Sequence, residues 1–109
     1  MHLPTDRLIG ILLYVHDRRG GFDLQVRMFG PLVGVPEDAA SGSPNVALGG
    51  LLATLRPEPD LKLAFRIGQG IDRGRPSLLE AAAEKCGGKI VGLSIGGCCV
   101  PMMRGVLEV

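Results

Sequence analysis

The chain has 109 residues and a formal net charge of +1; 46% of its residues are hydrophobic, 21% charged and 4% aromatic, with no Trp. That length supports one small domain with one core, read as residues 1–109, and the composition is globular rather than disordered. Near-neutral charge with one Tyr and three Phe excludes a basic, base-stacking nucleic-acid face, and no apolar run reaches the length of a membrane span.

Residues 7–15 are rich in Ile, Leu, Val and Tyr and predict a buried strand. They do not read as a secretory signal. Asp6 and Arg7 precede the apolar run, His16-Asp17-Arg18-Arg19 follow it, and no small-residue cleavage site appears. Residues 18–21 predict a turn. Residues 22–29 alternate, with Phe22, Leu24, Val26 and Met28 on one side and Asp23, Gln25 and Arg27 on the other. That period of two predicts a half-buried strand, paired with the first as a hairpin. Residues 31–42 hold two Pro, two Gly and the Glu37-Asp38 pair, and predict a loop.

A helix is predicted over about residues 44–55. Ser43 suits the N-cap and Pro44 the first helical position, and Pro57 stops the helix after Leu55. Nothing charged appears between Pro44 and Leu55, so the helix has no polar face and is expected to be buried all round. In a chain otherwise made of strands, the simplest solution is a sheet curled around it. Gly49 and Gly50 cost about 1 kcal/mol each relative to Ala, which suits a close approach of strands to the helix backbone.

Residues 61–67 alternate again, and residues 68–76 predict a Gly/Arg-rich loop. Signals conflict over residues 77–85, where the alanine-rich run Leu78-Leu79-Glu80-Ala81-Ala82-Ala83-Glu84-Lys85 has strong helix propensity. The Gly87-Gly88 pair that follows suits a helix stop and a hairpin turn equally. Residues 89–95, 98–103 and 106–109 predict short strands. The expected fold class is α+β.

The start of the predicted helix carries the chemistry. Val46 stands where a capping box needs Glu or Gln. The first-turn N–H groups therefore lack a carboxylate of their own and sit at the positive end of the helix dipole, where an anionic ligand group could bind. Gly42 gives a ligand close access to the backbone, and Asp38 lies one short loop upstream. A plain N-cap with a solvated acidic loop is the alternative reading.

The run Phe29-Gly30-Pro31-Leu32-Val33-Gly34-Val35-Pro36-Glu37-Asp38-Ala39-Ala40-Ser41-Gly42-Ser43 resembles the signature of the phenazine-biosynthesis PhzF-like isomerase family, in which G-I-P-E-D-P-A/V-T-G-S-A precedes an apolar helix. Gln69-Gly70-Ile71-Asp72-Arg73-Gly74-Arg75-Pro76-Ser77 is similar to the family's QG–MGRPS segment. Gly87-Gly88, Val91, Ile95-Gly96-Gly97, Val100 and Gly105 follow its closing pattern. The resemblance spans nearly the whole chain and corresponds to the family's C-terminal half.

It implies one half of a diaminopimelate-epimerase-like fold: an antiparallel sheet curled into a barrel around the central apolar helix. It also implies a strand rather than a helix over residues 77–85. By resemblance, Asp38 matches the active-site aspartate, and Ser41, Gly42, Ser43, Gln69 and Gly70 are the expected substrate-binding residues. The implied activity is proton transfer on a small carboxylate-bearing substrate, with neither cofactor nor metal. Ala39, Ser41, Pro44 and Arg73 replace the family's proline, threonine, alanine and methionine. Ser41 keeps a hydroxyl, whereas Pro44 removes one helix-start donor.

The family's catalytic glutamate and histidine belong to its other half; His2 and His16 lie in no matching motif. The expected partner is therefore a complementary N-terminal-half chain or a second copy of this one. The alternatives are a catalytically silent homodimer that binds small carboxylates, or a truncated relic. A mean hydropathy of +0.28, high for a domain of this size, independently calls for apolar surface covered by a partner. Arg73 and Arg75 read as a solvated turn or as contacts to an anionic substrate. Cys86, Cys98 and Cys99 are odd in number and fit no disulfide framework. They read as free thiols of a reducing cytoplasm, the expected location, with Cys98 and Cys99 as packing residues.

Overall fold

The computed structural model describes residues 9–17 and 19–109; His2, Arg7, Leu8 and Arg18 lie outside the described residues. The first two predicted strands form a hairpin. Strand β1 (Ile11–His16) pairs antiparallel with β2 (Leu24–Gly30), from Ile11 opposite Phe29 to His16 opposite Leu24. Alternation holds in β2: Leu24 and Val26 are buried while Arg27 is exposed. The predicted loop after β2 contains a one-turn 3-10 helix, Pro31–Val33, and a short strand, β3 (Val35–Asp38). Between them Gly34 takes a left-handed φ of 81°.

Helix α1 (Gly42–Thr54) starts two residues earlier than predicted, with Ser41 rather than Ser43 at the N-cap. After it, β4 (Leu61–Gln69), β5 (Ser77–Cys86) and β6 (Lys89–Gly97) form an antiparallel meander. The conflict over residues 77–85 resolves as strand. Leu79, Ala81, Ala83 and Lys85 are buried and alternate with exposed Glu80 and Glu84, a period of two that helix propensity cannot override between two flanking strands.

The six strands make one mixed sheet in the order β1-β2-β4-β5-β6, with β3 on the second edge of β2. This corrects the expected antiparallel barrel in two ways. The connection from β2 through β3 and α1 brings the chain back so that β4 runs parallel to β2, with Leu24 opposite Ile67 and Val26 opposite Gln69. And the sheet does not close, because among the described residues β1 and β6 each have one neighbour and never meet.

The helix is correspondingly not enclosed. It packs on β4, β5 and β6, burying Asn45, Leu48, Gly49 and Ala53, while Leu51 is 49% and Leu55 67% exposed. The sheet reaches only one side of it. A methyl added at Gly49 would meet the Ala81 Cβ at 3.7 Å, an ordinary contact, and one at Gly50 would press Leu93 at 3.3 Å. Close approach thus bears on Gly50 rather than on both glycines.

Leu24, Val26, Leu48, Ile67, Leu79 and Ala81 form the core, with Leu12, Leu52, Phe65 and Ile95 packed against it. Lys85, buried at the far end of α1, donates from Nζ to the carbonyls of Arg56 (2.7 Å) and Ala53 (3.3 Å). It places a donor at the negative end of the helix dipole.

The strands predicted over residues 98–103 and 106–109 do not form. Residues 98–109 follow β6 with no regular structure and are exposed. Cys98 and Cys99 are therefore exposed rather than packed. Among the described residues no helix is long and apolar enough to cross a membrane.

Candidate functional site

Four elements converge at the N-terminus of α1: the end of β3 with Asp38, the loop through Ser41, the first turn of the helix and the end of β4 with Gln69. Ser41 does not cap the helix with its side chain. Its hydroxyl instead donates to Asp38 Oδ2 at 2.7 Å, and the Ala40 N–H lies 3.4 Å from Asp38 Oδ1. The aspartate is thereby fixed at the mouth of the helix.

Behind this pair lies a buried amide network. Gln69 is fully buried. Its Nε2 donates to Ser41 Oγ and to the Asp38 carbonyl, both at 2.9 Å. Its Oε1 accepts from the Ser41 N–H (3.2 Å) and from Asn45 Nδ2 (2.8 Å). Asn45, also fully buried, donates a second bond to the Ser41 carbonyl at 2.7 Å. Its Oδ1 has no partner. In a buried setting such a network holds its members in one geometry, because each amide group that loses its partner costs about 1–3 kcal/mol.

Asp38 borders two cavities. One, of about 210 Å³, is lined by Asp38, Ser41, Gly42, Ser43, Pro44 and Met28 among others. The other, an open cleft of about 600 Å³, is lined by Glu37, Asp38, Ala39, Arg73, Arg75 and Ser77 among others. Glu37 is held by a two-bond grip from Arg27 (2.9 and 3.1 Å), and Arg73 donates to its carbonyl. The Arg27 bond keeps the Glu37 carboxyl below the ordinary glutamate range. Arg75 enters no ion pair among the described residues, so its charge faces the cleft.

The sequence-predicted residues therefore divide. Asp38, Ser41, Gly42 and Ser43 line one cavity together. Gln69 sits behind them with no exposed surface, placed to hold Asp38 and Ser41 rather than to touch a ligand. Gly70 lines a separate cavity of about 270 Å³ with Leu13, Arg27 and Asp72. It has φ 73°, and a side chain there would collide with the backbone oxygens of Arg75 and Ala39. Its role is close passage of two chain segments. Sequence reasoning missed Asn45, although it is the one amide in an otherwise apolar helix, and missed the Arg27–Glu37 pair. His16 stands at the hairpin end with its ring edge to Tyr14, away from the site. Among the described residues no group of three His, Cys, Asp or Glu side chains could hold a metal ion.

Comparison with known proteins agrees with the family resemblance read from the sequence. An uncharacterized isomerase of Deinococcus radiodurans is 35% identical over 106 residues, covering 92% of this chain and 33% of that protein. The trans-2,3-dihydro-3-hydroxyanthranilate isomerase of Pseudomonas aeruginosa is 41% identical over 71 residues, or 65% of this chain and 25% of the enzyme. That of Pseudomonas chlororaphis is 37% identical over 83 residues, or 74% and 29%. The chain thus spans about a third or less of the length of these relatives. No solved structure matches it. The model of the PhzC-PhzF family, described as phenazine biosynthesis-like proteins, matches residues 6–105, and the chain belongs to that family.

Proposed function

We propose that the chain supplies the aspartate side of an isomerase site that moves a proton on a small carboxylate-bearing substrate, without cofactor or metal. The observation that supports this reading is the grip on Asp38. One carboxylate oxygen is fixed by Ser41 Oγ, Ser41 is fixed by Gln69, and Asp38 borders a cavity that Gly42 and Ser43 of the first helical turn also line. The N–H groups of that turn, at the positive end of α1, suit the substrate carboxylate. The substrate named for the Pseudomonas relatives is a hydroxyanthranilate, a carboxylate of this class.

In this reading Asp38 accepts a proton from one carbon as a general base and returns it to another, with no change in oxidation state. Glu37 is committed to Arg27, so the cavity carries one uncommitted acid–base group. That observation favours a second contributor, either a complementary chain or a second copy of this one. It equally favours the runner-up reading, a silent domain that binds small carboxylates as a homodimer.

The test is isomerisation of trans-2,3-dihydro-3-hydroxyanthranilate by wild type and Asp38→Asn. A loss of at least about 100-fold is expected, the lower end of general acid–base contributions. Equal, measurable rates in the two proteins refute the assignment of Asp38. Benzoate binding without turnover, weakened in Ser43→Ala, selects the silent-domain reading.

A further inference from the structure

We infer that Asn45 is a positioning residue for Asp38. It acts through Gln69 and Ser41, by fixing which end of the Gln69 amide faces the serine. Its bearing on catalysis rests on the reading of Asp38 as the acid–base group; the hydrogen-bond relay itself stands on the geometry.

The relay starts from groups whose polarity cannot change. The Ser41 carbonyl can only accept, and Asn45 Nδ2 faces it at 2.7 Å. The second proton of that nitrogen goes to Gln69 Oε1, at 2.8 Å. The Ser41 N–H, which can only donate, reaches the same Oε1 at 3.2 Å. Of the two donors on Oε1, Asn45 makes the shorter bond. Gln69 therefore turns Nε2 to the Asp38 carbonyl and to Ser41 Oγ, both at 2.9 Å. Approached by an N–H, the hydroxyl accepts there, and its single proton goes to Asp38 Oδ2 at 2.7 Å. With the Gln69 amide flipped, Oε1 would face Ser41 Oγ and draw that proton away from the carboxylate. The Asn45 donor opposes this flip.

Stability does not account for Asn45. Asn is among the poorer helix formers. Here it stands fully buried inside α1, with an Oδ1 that has no partner among the described residues. A buried unpaired oxygen is unfavourable. Nor does a neighbour depend on Asn45 for its pairing. The Ser41 carbonyl, at the N-cap, keeps the first helical hydrogen bond, and Gln69 Oε1 keeps the Ser41 N–H. Removal of the Asn45 amide thus strands no polar group. A residue that is locally unfavourable and whose loss leaves its neighbours paired is explained by the geometry it imposes on them.

Asn45→Ala separates a positioning role from a structural one. Ala is the better helix former and leaves only a small space, so Tm should change by less than about 5 °C. In the same protein the Gln69 side-chain amide protons, followed by NMR, should exchange with solvent at least about fivefold faster, the equivalent of one ordinary hydrogen bond. The backbone amides of β4 and β5 should exchange as in the wild type. The side-chain carboxyl carbon signal of Asp38 should move, although Asn45 makes no hydrogen bond to it. With trans-2,3-dihydro-3-hydroxyanthranilate, kcat should fall at least about fivefold with KM unchanged. Unchanged Gln69 exchange, or an Asp38 signal that stays in place, overturns the inference whether or not the chain turns substrate over. So does a Tm loss above about 10 °C, which marks a structural role. Full kcat in Asn45→Ala where Asp38→Asn has lost activity also overturns it, and leaves the reading of Asp38 standing. Equal, measurable kcat in wild type and Asp38→Asn, with Gln69 exchange raised in Asn45→Ala, removes the reading of Asp38 and supports the relay.

Discussion

Gln69→Leu is the substitution that most directly tests whether the amide network holds the site. The two side chains are close in size, so the change removes polar partners with little change in packing. Gln69 makes four hydrogen bonds. Two of its partners have other bonds to fall back on: Asn45 Nδ2 keeps the Ser41 carbonyl, and Ser41 Oγ keeps Asp38. The Ser41 N–H has none, and the Asp38 carbonyl loses its side-chain donor. Stranding the first at about 1–3 kcal/mol and weakening the second predicts a loss of about 3 kcal/mol, in the upper range for single substitutions. For a domain of this size that lowers Tm by more than about 10 °C. Urea unfolding followed by circular dichroism gives the free energy, with the m-value as a check that the unfolded state is unchanged. A loss under about 1 kcal/mol, within the ordinary range for less critical positions, would refute the network as the element that fixes Asp38.

Gly70→Ala and Gly74→Ala make a matched pair. Both have positive φ, 73° and 70°, yet a methyl at Gly70 meets backbone oxygens whereas one at Gly74 meets open space. Gly74→Ala should cost about 1–2 kcal/mol, the left-handed penalty alone, and Gly70→Ala clearly more; equal losses would show that the chain does not pass tightly there. Arg27→Ala should raise the pKa of Glu37, read from its side-chain carboxyl carbon shift against pH. The Arg27 bond now holds that pKa below its unfolded value. The pair therefore stabilises the fold above the unfolded glutamate pKa and is lost as pH falls through the folded one. An unchanged Glu37 titration would show that the bond does not persist in solution.

The local pattern was legible in residues whose neighbours are close in sequence. The alternation in residues 22–29 and 61–67 gave two strands in the right places, and the proline and glycine punctuation placed the loops. Enclosure was not legible. A run with no charge from Pro44 to Leu55 says that no face prefers water, which predicts burial on every side. The fold buries only the stripe through Asn45, Leu48, Gly49 and Ala53, because the number of strands that reach a helix is a property of the sheet, not of the helix. The parallel pairing of β2 with β4 was hidden for the same reason, since strand order follows from the path of the connection. Residues 98–109 have strand-like composition and no strand. A strand needs a partner, and among the described residues none pairs with this segment.

The site was legible as a group and illegible in its division of labour, and Ser41 shows why. A serine before an apolar helix predicts a cap, a role worth about 1 kcal/mol. In the fold the helix lacks that side-chain bond. A hydroxyl has one proton to give, and Ser41 gives it to Asp38 while accepting from Gln69. The helix start thus forgoes its most local stabilising contact, and the carboxylate beside it gains a fixed orientation. A departure from the locally best arrangement, maintained by two buried amides and accompanied by an unpartnered Asn45 Oδ1, is what a binding site requires and a purely structural helix start does not. The same choice leaves the first-turn N–H groups without a side-chain partner at the cavity that Asp38 borders. One serine therefore both orients the aspartate and keeps the dipole end open beside it.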